Sequence, residues 1–137
     1  MSRTYIPEAL REAVAKRANY LCEYCKIDER FTGLRFHLDH IFNEAKGGET
    51  SFNNLAYACA VCNHNKHSDL AGYLSELKQA FLFFHPRTDD WDAFFVLRKD
   101  GVIDGLTNPA KATIRALDMN RDQAVKERLF LLEMRTI

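Results

Sequence analysis

The chain has 137 residues, 47% of them hydrophobic and 28% charged, with 19 Lys and Arg set against 19 Asp and Glu. This is enough for one domain with a real core. The charge balance argues against a protein that coats nucleic acid through bulk charge. A local basic groove remains open, in which a polyanion is met by a few placed Lys and Arg residues and by metal. No apolar run approaches membrane-spanning length. The start, Met1-Ser2-Arg3-Thr4-Tyr5, lacks the apolar core of a secretory signal. The expected setting is the reducing cytoplasm, where paired cysteines bind metal more often than they form disulfides.

From Pro7 to Asn19 the pattern predicts a helix, with Glu8 near its positive end and Leu10, Val14, Ala18 and Leu21 on one apolar face. Arg11, Lys16 and Arg17 read as a solvated face, with phosphate contact the lesser alternative. Cys22 to Cys25 forms a knuckle. Leu34 to Phe42 is expected as a strand, 44–53 as a loop around Gly47-Gly48, Leu55 to Tyr57 as a returning strand, and Ala60 to about Leu70 as a helix. Leu70, Leu74, Leu77 and Phe81 recur at helical spacing, although Gly72 and Ser75 weaken that reading, and His85-Pro86 ends it. Asp92 to Leu97 and Val102 to Leu106 read as two strands about a Lys99-Asp100-Gly101 turn. Thr107-Asn108-Pro109 starts a helix. Asn120 ends it or caps the next, whose stripe is Val125, Leu129 and Leu132. With no repeat or long linker, the reading is a single domain over 1–137. Its core is about 20–70 and its C-terminal extension about 85–137.

Cys22, Cys25, Cys59 and Cys62 are the only cysteines. Thiolates are soft ligands, and two CxxC pairs close a tetrahedral site that suits structural zinc. A redox CxxC or four buried thiols are the alternatives. The spacing between the pairs exceeds that of a simple ribbon, so the segment holding Asp39, His40 and Asn54 is inserted between the two knuckles.

Asp39-His40 brings a hard carboxylate, suited to a cation such as magnesium, beside a histidine that can take a proton from water. Phosphodiester hydrolysis needs a base and a cation. Neighbours on a strand point to opposite faces, so the pair serves one site only where the strand ends or bends. Asn63 and His67, four apart, share a face of the expected helix, and either side chain can ligate a metal. For His67 a solvated helix residue is the equal alternative. His64 and Lys66 read as exposed, and Lys66 is a point charge for a phosphate. Asn54 can bond backbone across the loop and so position His40 without touching substrate.

The block Cys22-x-x-Cys25, Leu38-Asp39-His40-Ile41, Gly47-Gly48, Asn54-Leu55 and Cys59-x-x-Cys62-Asn63-x-x-Lys66 resembles the HNH endonuclease family. The resemblance implies an α+β fold. Its ββα-metal (His-Me finger) core would carry structural zinc knuckles, an N-terminal helix, and a C-terminal hairpin plus helices. It further implies His40 as general base, Asp39 and Asn63 on a catalytic cation, Asn54 orienting the loop, and His67 as a further ligand in some members. Asparagine where the family usually has histidine makes this the HNN variety, favouring magnesium or manganese over zinc. DNA, with RNA as an alternative, is the implied partner. The stretch from Phe84-His85-Pro86-Arg87 through Leu117-x-Met119-Asn120 is similar to a tail on small bacterial HNH proteins. There Arg87 and Trp91 are candidate nucleic-acid contacts, with a core anchor the alternative for Trp91. A zinc-stabilised binding module without activity is the alternative for the whole chain.

Overall fold

Helix α1, Glu8–Arg17, opens the computed structural model, which describes residues 5–134. The Met1-Ser2-Arg3-Thr4 segment read for a secretory signal lies outside the described residues. Glu8 in the first turn and Lys16 and Arg17 in the last complement the helix dipole. Val14 and Ala15 are buried. The basic face is not simply solvated. Arg11 donates to the Phe36 carbonyl at 3.2 Å, and Arg17 donates to the Phe52 and Leu55 carbonyls. The Arg17 guanidinium also lies 3.9 Å from the centroid of the Phe52 ring. These stems pack on apolar surface while their heads find backbone oxygens. α1 therefore braces the loop and strand that follow the Asp39-His40 pair.

The chain divides into two units, one ending at Leu70 and the other beginning at Ala71. In the first, the knuckle at Cys22 to Cys25 is followed by a short helix that the periodicity hides. This is α2, Glu29–Thr32, capped by Asp28, which accepts from Arg30 N. That turn delays the strand expected from Leu34, so β1 is only His37–His40. It pairs antiparallel with β2, Leu55–Ala58, with Asp39 opposite Ala56 and His40 opposite Leu55. Every residue of β2 is buried, consistent with packing on both faces. The loop between them contains two 3-10 turns, Glu44–Lys46 and Phe52–Asn54. α3, Ala60–Lys66, begins at Cys59, whose Sγ accepts from Cys62 N. It stops four residues short of the expected end, because His67 takes φ 51° and closes the helix.

In the second unit the helical spacing of Leu70, Leu74, Leu77 and Phe81 is misleading. Ala71–Leu74 is β3 and Gln79–Leu82 is β4, an antiparallel hairpin with Gly72 opposite Phe81. Leu74 is buried, but Leu77 sits exposed in the connecting turn, where Lys78 takes φ 51°. The expected strand from Asp92 begins as a helical turn, α4, Trp91–Phe94, and becomes β5 only at Phe95–Leu97. β5 pairs with β6, Ile103–Gly105. α5, Asn108–Leu117, starts at Thr107, whose hydroxyl accepts from Ala110 N at 3.1 Å. It packs on both hairpins.

The core of this unit holds Phe83, Phe84, Phe95, Ile103, Leu117 and Met119. Trp91 lies 5.0 Å from Phe95, centroid to centroid. Asn120 neither ends α5 nor caps α6, Asp122–Glu133, whose N-cap is Arg121. Its amide instead bonds both the N–H and the carbonyl of Ile103, each at 2.8 Å. The deepest stripe of α6 is Ala124, Arg128 and Leu131, one residue before the expected Val125, Leu129 and Leu132. Arg128 is fully buried and donates to the Gly101 carbonyl and to Asn120 Oδ1, which keeps its charged head satisfied on the inward face. No helix among the described residues is long and apolar enough to cross a membrane.

Candidate active site and metal centre

The first knuckle turns back through Lys26, at φ 67°, which places Cys22 and Cys25 side by side. The end of β2 and the first turn of α3 deliver Cys59 and Cys62. The four Sγ atoms lie within 4.8 Å of one another, and all four residues are buried. Cys25 Sγ and Cys59 Sγ are 3.7 Å apart. Four thiolates about 2.3 Å from a tetrahedral zinc stand about 3.8 Å from one another, so this spacing fits the ion. Backbone N–H groups of Cys25 and Cys62 point at Cys22 Sγ and Cys59 Sγ, at 3.5 and 3.4 Å. Such bonds favour thiolate. Burial pushes the Cys22 thiol up, while the hydrogen bond from Cys22 draws Cys59 down. Four buried sulfurs this close can all be thiolate only with a cation to balance them, and the spacing suits one.

Asp39 and His40 are the last two residues of β1, where the strand ends, and their side chains take separate partners. Asp39 is 3% exposed. Tyr24, from the first knuckle, donates to its Oδ2 at 2.8 Å. Lys66, from the last turn of α3, stands 3.2 Å from the same oxygen and 3.3 Å from Oδ1. The Lys66 ammonium also reaches the carbonyls of His40 and Ile41, both at 3.4 Å. The expectation of an exposed Lys66 facing a phosphate is therefore corrected: at 2% exposure its charge is spent inside the protein. Burial raises the Asp39 carboxyl above its usual range, and Lys66 and Tyr24 pull it back. Burial, then the charge of Asp39, holds the Tyr24 hydroxyl well above its usual value, so it stays a neutral donor.

His40 Nε2 lies 2.9 Å from Thr50 Oγ1 and 3.8 Å from Glu44 Oε1. The loop that carries these partners is built tightly. Asn54 accepts from Phe42 N at 3.0 Å and donates to the Phe42 and Glu49 carbonyls at 2.9 and 2.7 Å. Its own carbonyl receives Ile41 N at 2.9 Å. Asn43 caps the first 3-10 turn and donates to the Ser68 carbonyl at 3.1 Å. Gly47 takes φ 97°, and a Cβ on Gly48 would stand 1.8 Å from the Phe42 carbonyl oxygen. The Gly47-Gly48 pair thus has a steric reason: one residue reverses the chain and the next lets it touch the strand end.

Asn63 sits half-buried on α3, and its side chain makes no hydrogen bond among the described residues. His67 does not share a helical face with it. As the cap of α3 it is exposed, with Nδ1 3.1 Å from Ser68 Oγ. Arg87 belongs to the second unit, where its backbone N–H donates to His85 Nδ1 at 3.1 Å. Among the described residues, the four cysteines are the cluster of three or more His, Cys, Asp and Glu side chains able to hold a metal. Tyr24, Glu44 and Thr50 had no signal in the sequence beyond lying near the cysteine pair or within the loop. A tyrosine inside a CxxC pair and a hydroxyl two residues after Gly48 acquire meaning only once β1 and β2 are paired.

No curated protein matches the chain. The family description HNH endonuclease matches residues 22–69, the stretch that runs from the first zinc-type cysteine past Asp39, His40, Asn54, Asn63 and His67. The matched segment suggests a nuclease acting on nucleic acid, and it is the HNH endonuclease pattern that this part of the chain carries.

Proposed function

We propose that the protein is a metal-dependent endonuclease that hydrolyses phosphodiester bonds in DNA. The observation that carries this reading is His40. It stands at the end of β1 within the matched segment, held at one ring nitrogen and adjacent to a buried carboxylate. His40 acts as general base and takes the proton of the attacking water. Asp39 and Asn63, with His67 as a further candidate, supply carboxylate, amide and imidazole donors, a set that suits magnesium or manganese. A cation there would stabilise charge on the phosphate and on the departing 3′-oxygen. Asn54 keeps the loop closed behind His40, and the four cysteines fix the frame around zinc.

The test is cleavage of plasmid and single-stranded DNA across magnesium, manganese, nickel and calcium, with His40→Ala alongside. The parent cuts in at least one of these cations, and His40→Ala stays folded and loses cutting by about 10²-fold or more. Equal rates for parent and variant would remove His40 as base.

One observation favours a second reading. The Lys66 ammonium already lies against both oxygens of Asp39, a place that a cation would contest. A zinc-stabilised nucleic-acid-binding module with no activity would bind DNA and leave it intact in every cation of the same panel.

A further inference from the structure

His40 has two ring nitrogens, and among the described residues one of them has a partner. Thr50 Oγ1 lies 2.9 Å from Nε2, and no hydrogen bond to Nδ1 forms among the described residues. The Thr50 hydroxyl has a single proton, and Glu44 Oε2 lies 3.3 Å from it as an acceptor. Glu44 Oε1 is itself 3.8 Å from Nε2. A bare lone pair at Nε2 would therefore face a hydroxyl oxygen and a carboxylate, both rich in negative charge. A proton at Nε2 satisfies them instead. The chain of donation then runs one way, from His40 Nε2–H to Thr50 and from Thr50 O–H to Glu44.

We propose that Thr50, backed by Glu44, is a positioning residue that fixes His40 in the tautomer with its proton on Nε2 and its lone pair on Nδ1. Neither residue touches the reacting atoms. Their effect is to leave Nδ1 as the nitrogen that accepts the proton of water, which then resides there as the imidazolium until solvent removes it. Placement follows from the loop: Glu44 lies in the first 3-10 turn, and Thr50 follows the Gly47-Gly48 reversal. The catalytic consequence rests on the nuclease reading, whereas the tautomer does not.

The deciding measurement is the imidazole nitrogen spectrum of His40 in the zinc-loaded full chain, followed through a pH series so that the tautomer of the neutral ring is read directly. It is paired with DNA-cleavage kinetics of the parent, Thr50→Val, Thr50→Ser and Glu44→Gln. The parent shows the proton on Nε2. Thr50→Val, which keeps the shape and loses the hydroxyl, gives mixed tautomers and a fall of ~100-fold in kcat with KM nearly unchanged. Thr50→Ser restores both, which a purely steric role for the side chain would not require. Glu44→Gln gives a smaller fall of the same kind. A proton on Nδ1 in the parent overturns the proposal, as does a Thr50→Val protein with parental spectrum and kcat. A parent with the expected tautomer that cuts no DNA in any cation supports the positioning and sinks the nuclease reading instead.

Discussion

Lys66 Nζ lies 3.2 Å from Asp39 Oδ2, with both side chains 3% exposed. Charges removed from water this completely depend on each other, because removing one partner leaves the other buried and uncompensated. Lys66→Met should cost about 3–5 kcal/mol, read as a lowered denaturant midpoint for unfolding of the zinc-loaded chain. Combining it with Asp39→Asn should recover most of that loss, since the uncompensated carboxylate is then gone. The same pair of variants probes the cation. If a divalent ion takes the Asp39 carboxylate, manganese raises the midpoint of Lys66→Met and leaves the double variant unmoved.

Zinc on the four cysteines, which their geometry fits, would have a definite stoichiometry and a folding dependence. Metal analysis of the purified chain should find about one zinc per molecule, with no thiol titrating in native protein. Chelation, or Cys59→Ala, should unfold the first unit, because free energy of binding at such a site is folding free energy. The near-ultraviolet signal from Tyr24 in the knuckle and Tyr57 in β2, both buried, should be lost with the metal. A chain that keeps this signal at zero bound zinc would show the cysteines to be an ordinary thiol core.

Gly48 gives a prediction with a steric sign. An alanine there must displace the Phe42 carbonyl, 1.8 Å from the new Cβ, together with the Asn43 carbonyl at 2.9 Å. Both belong to backbone held by Asn54 and by the cap at Asn43, so neither can yield cheaply. Gly48→Ala should cost about 3 kcal/mol and raise amide hydrogen exchange across 41–54 while sparing the second unit. Gly48→Ala at parental stability would mean that the loop has another closed form.

The four-cysteine cluster was legible because thiol spacing is itself the signal: two CxxC pairs need no knowledge of what packs around them. The order of strand, loop, strand and helix followed from the same block, and Thr107-Asn108-Pro109 marked α5 through capping chemistry alone. The residues misread were those whose role is set by a partner far along the chain. Lys66 sits among polar helix residues and reads as solvated, yet its ammonium is drawn inward by Asp39, 27 positions earlier. Arg17 turns in the same way toward carbonyls 35 and 38 positions later. In the second unit, Leu77 completed a false helical period because a hairpin turn places residues at i and i+3 as a helix does. The antiparallel pairing of β3 with β4, Lys78 at φ 51° and the burial of Leu74 without Leu77 separate the two. Thr50 and Glu44 share neither period nor motif, and nothing before the pairing of β1 with β2 brings them to His40.

Glu76 and Arg115 carry the pH prediction. Arg115 Nη1 and Nη2 meet Glu76 Oε1 and Oε2 at 2.7 and 2.8 Å, a bidentate pair that ties the β3–β4 turn to α5. The Arg115 guanidinium, followed by a backbone hydrogen bond, holds the Glu76 carboxyl down to about 2, against an ordinary 4.5. A depressed carboxyl favours the folded state when ionised. The contribution is thus fully present above pH 4.5 and is lost as pH falls toward about 2. Both side chains are open to solvent, so the effect is modest and screened by salt. The parent should melt slightly above Glu76→Gln at neutral pH, and the two melting curves should converge over that acid window. At ionic strength of about 1 M the gap should already be small at neutral pH. A gap that widens on acidification, or one that salt leaves unchanged, would show that Glu76 acts by packing and not by charge.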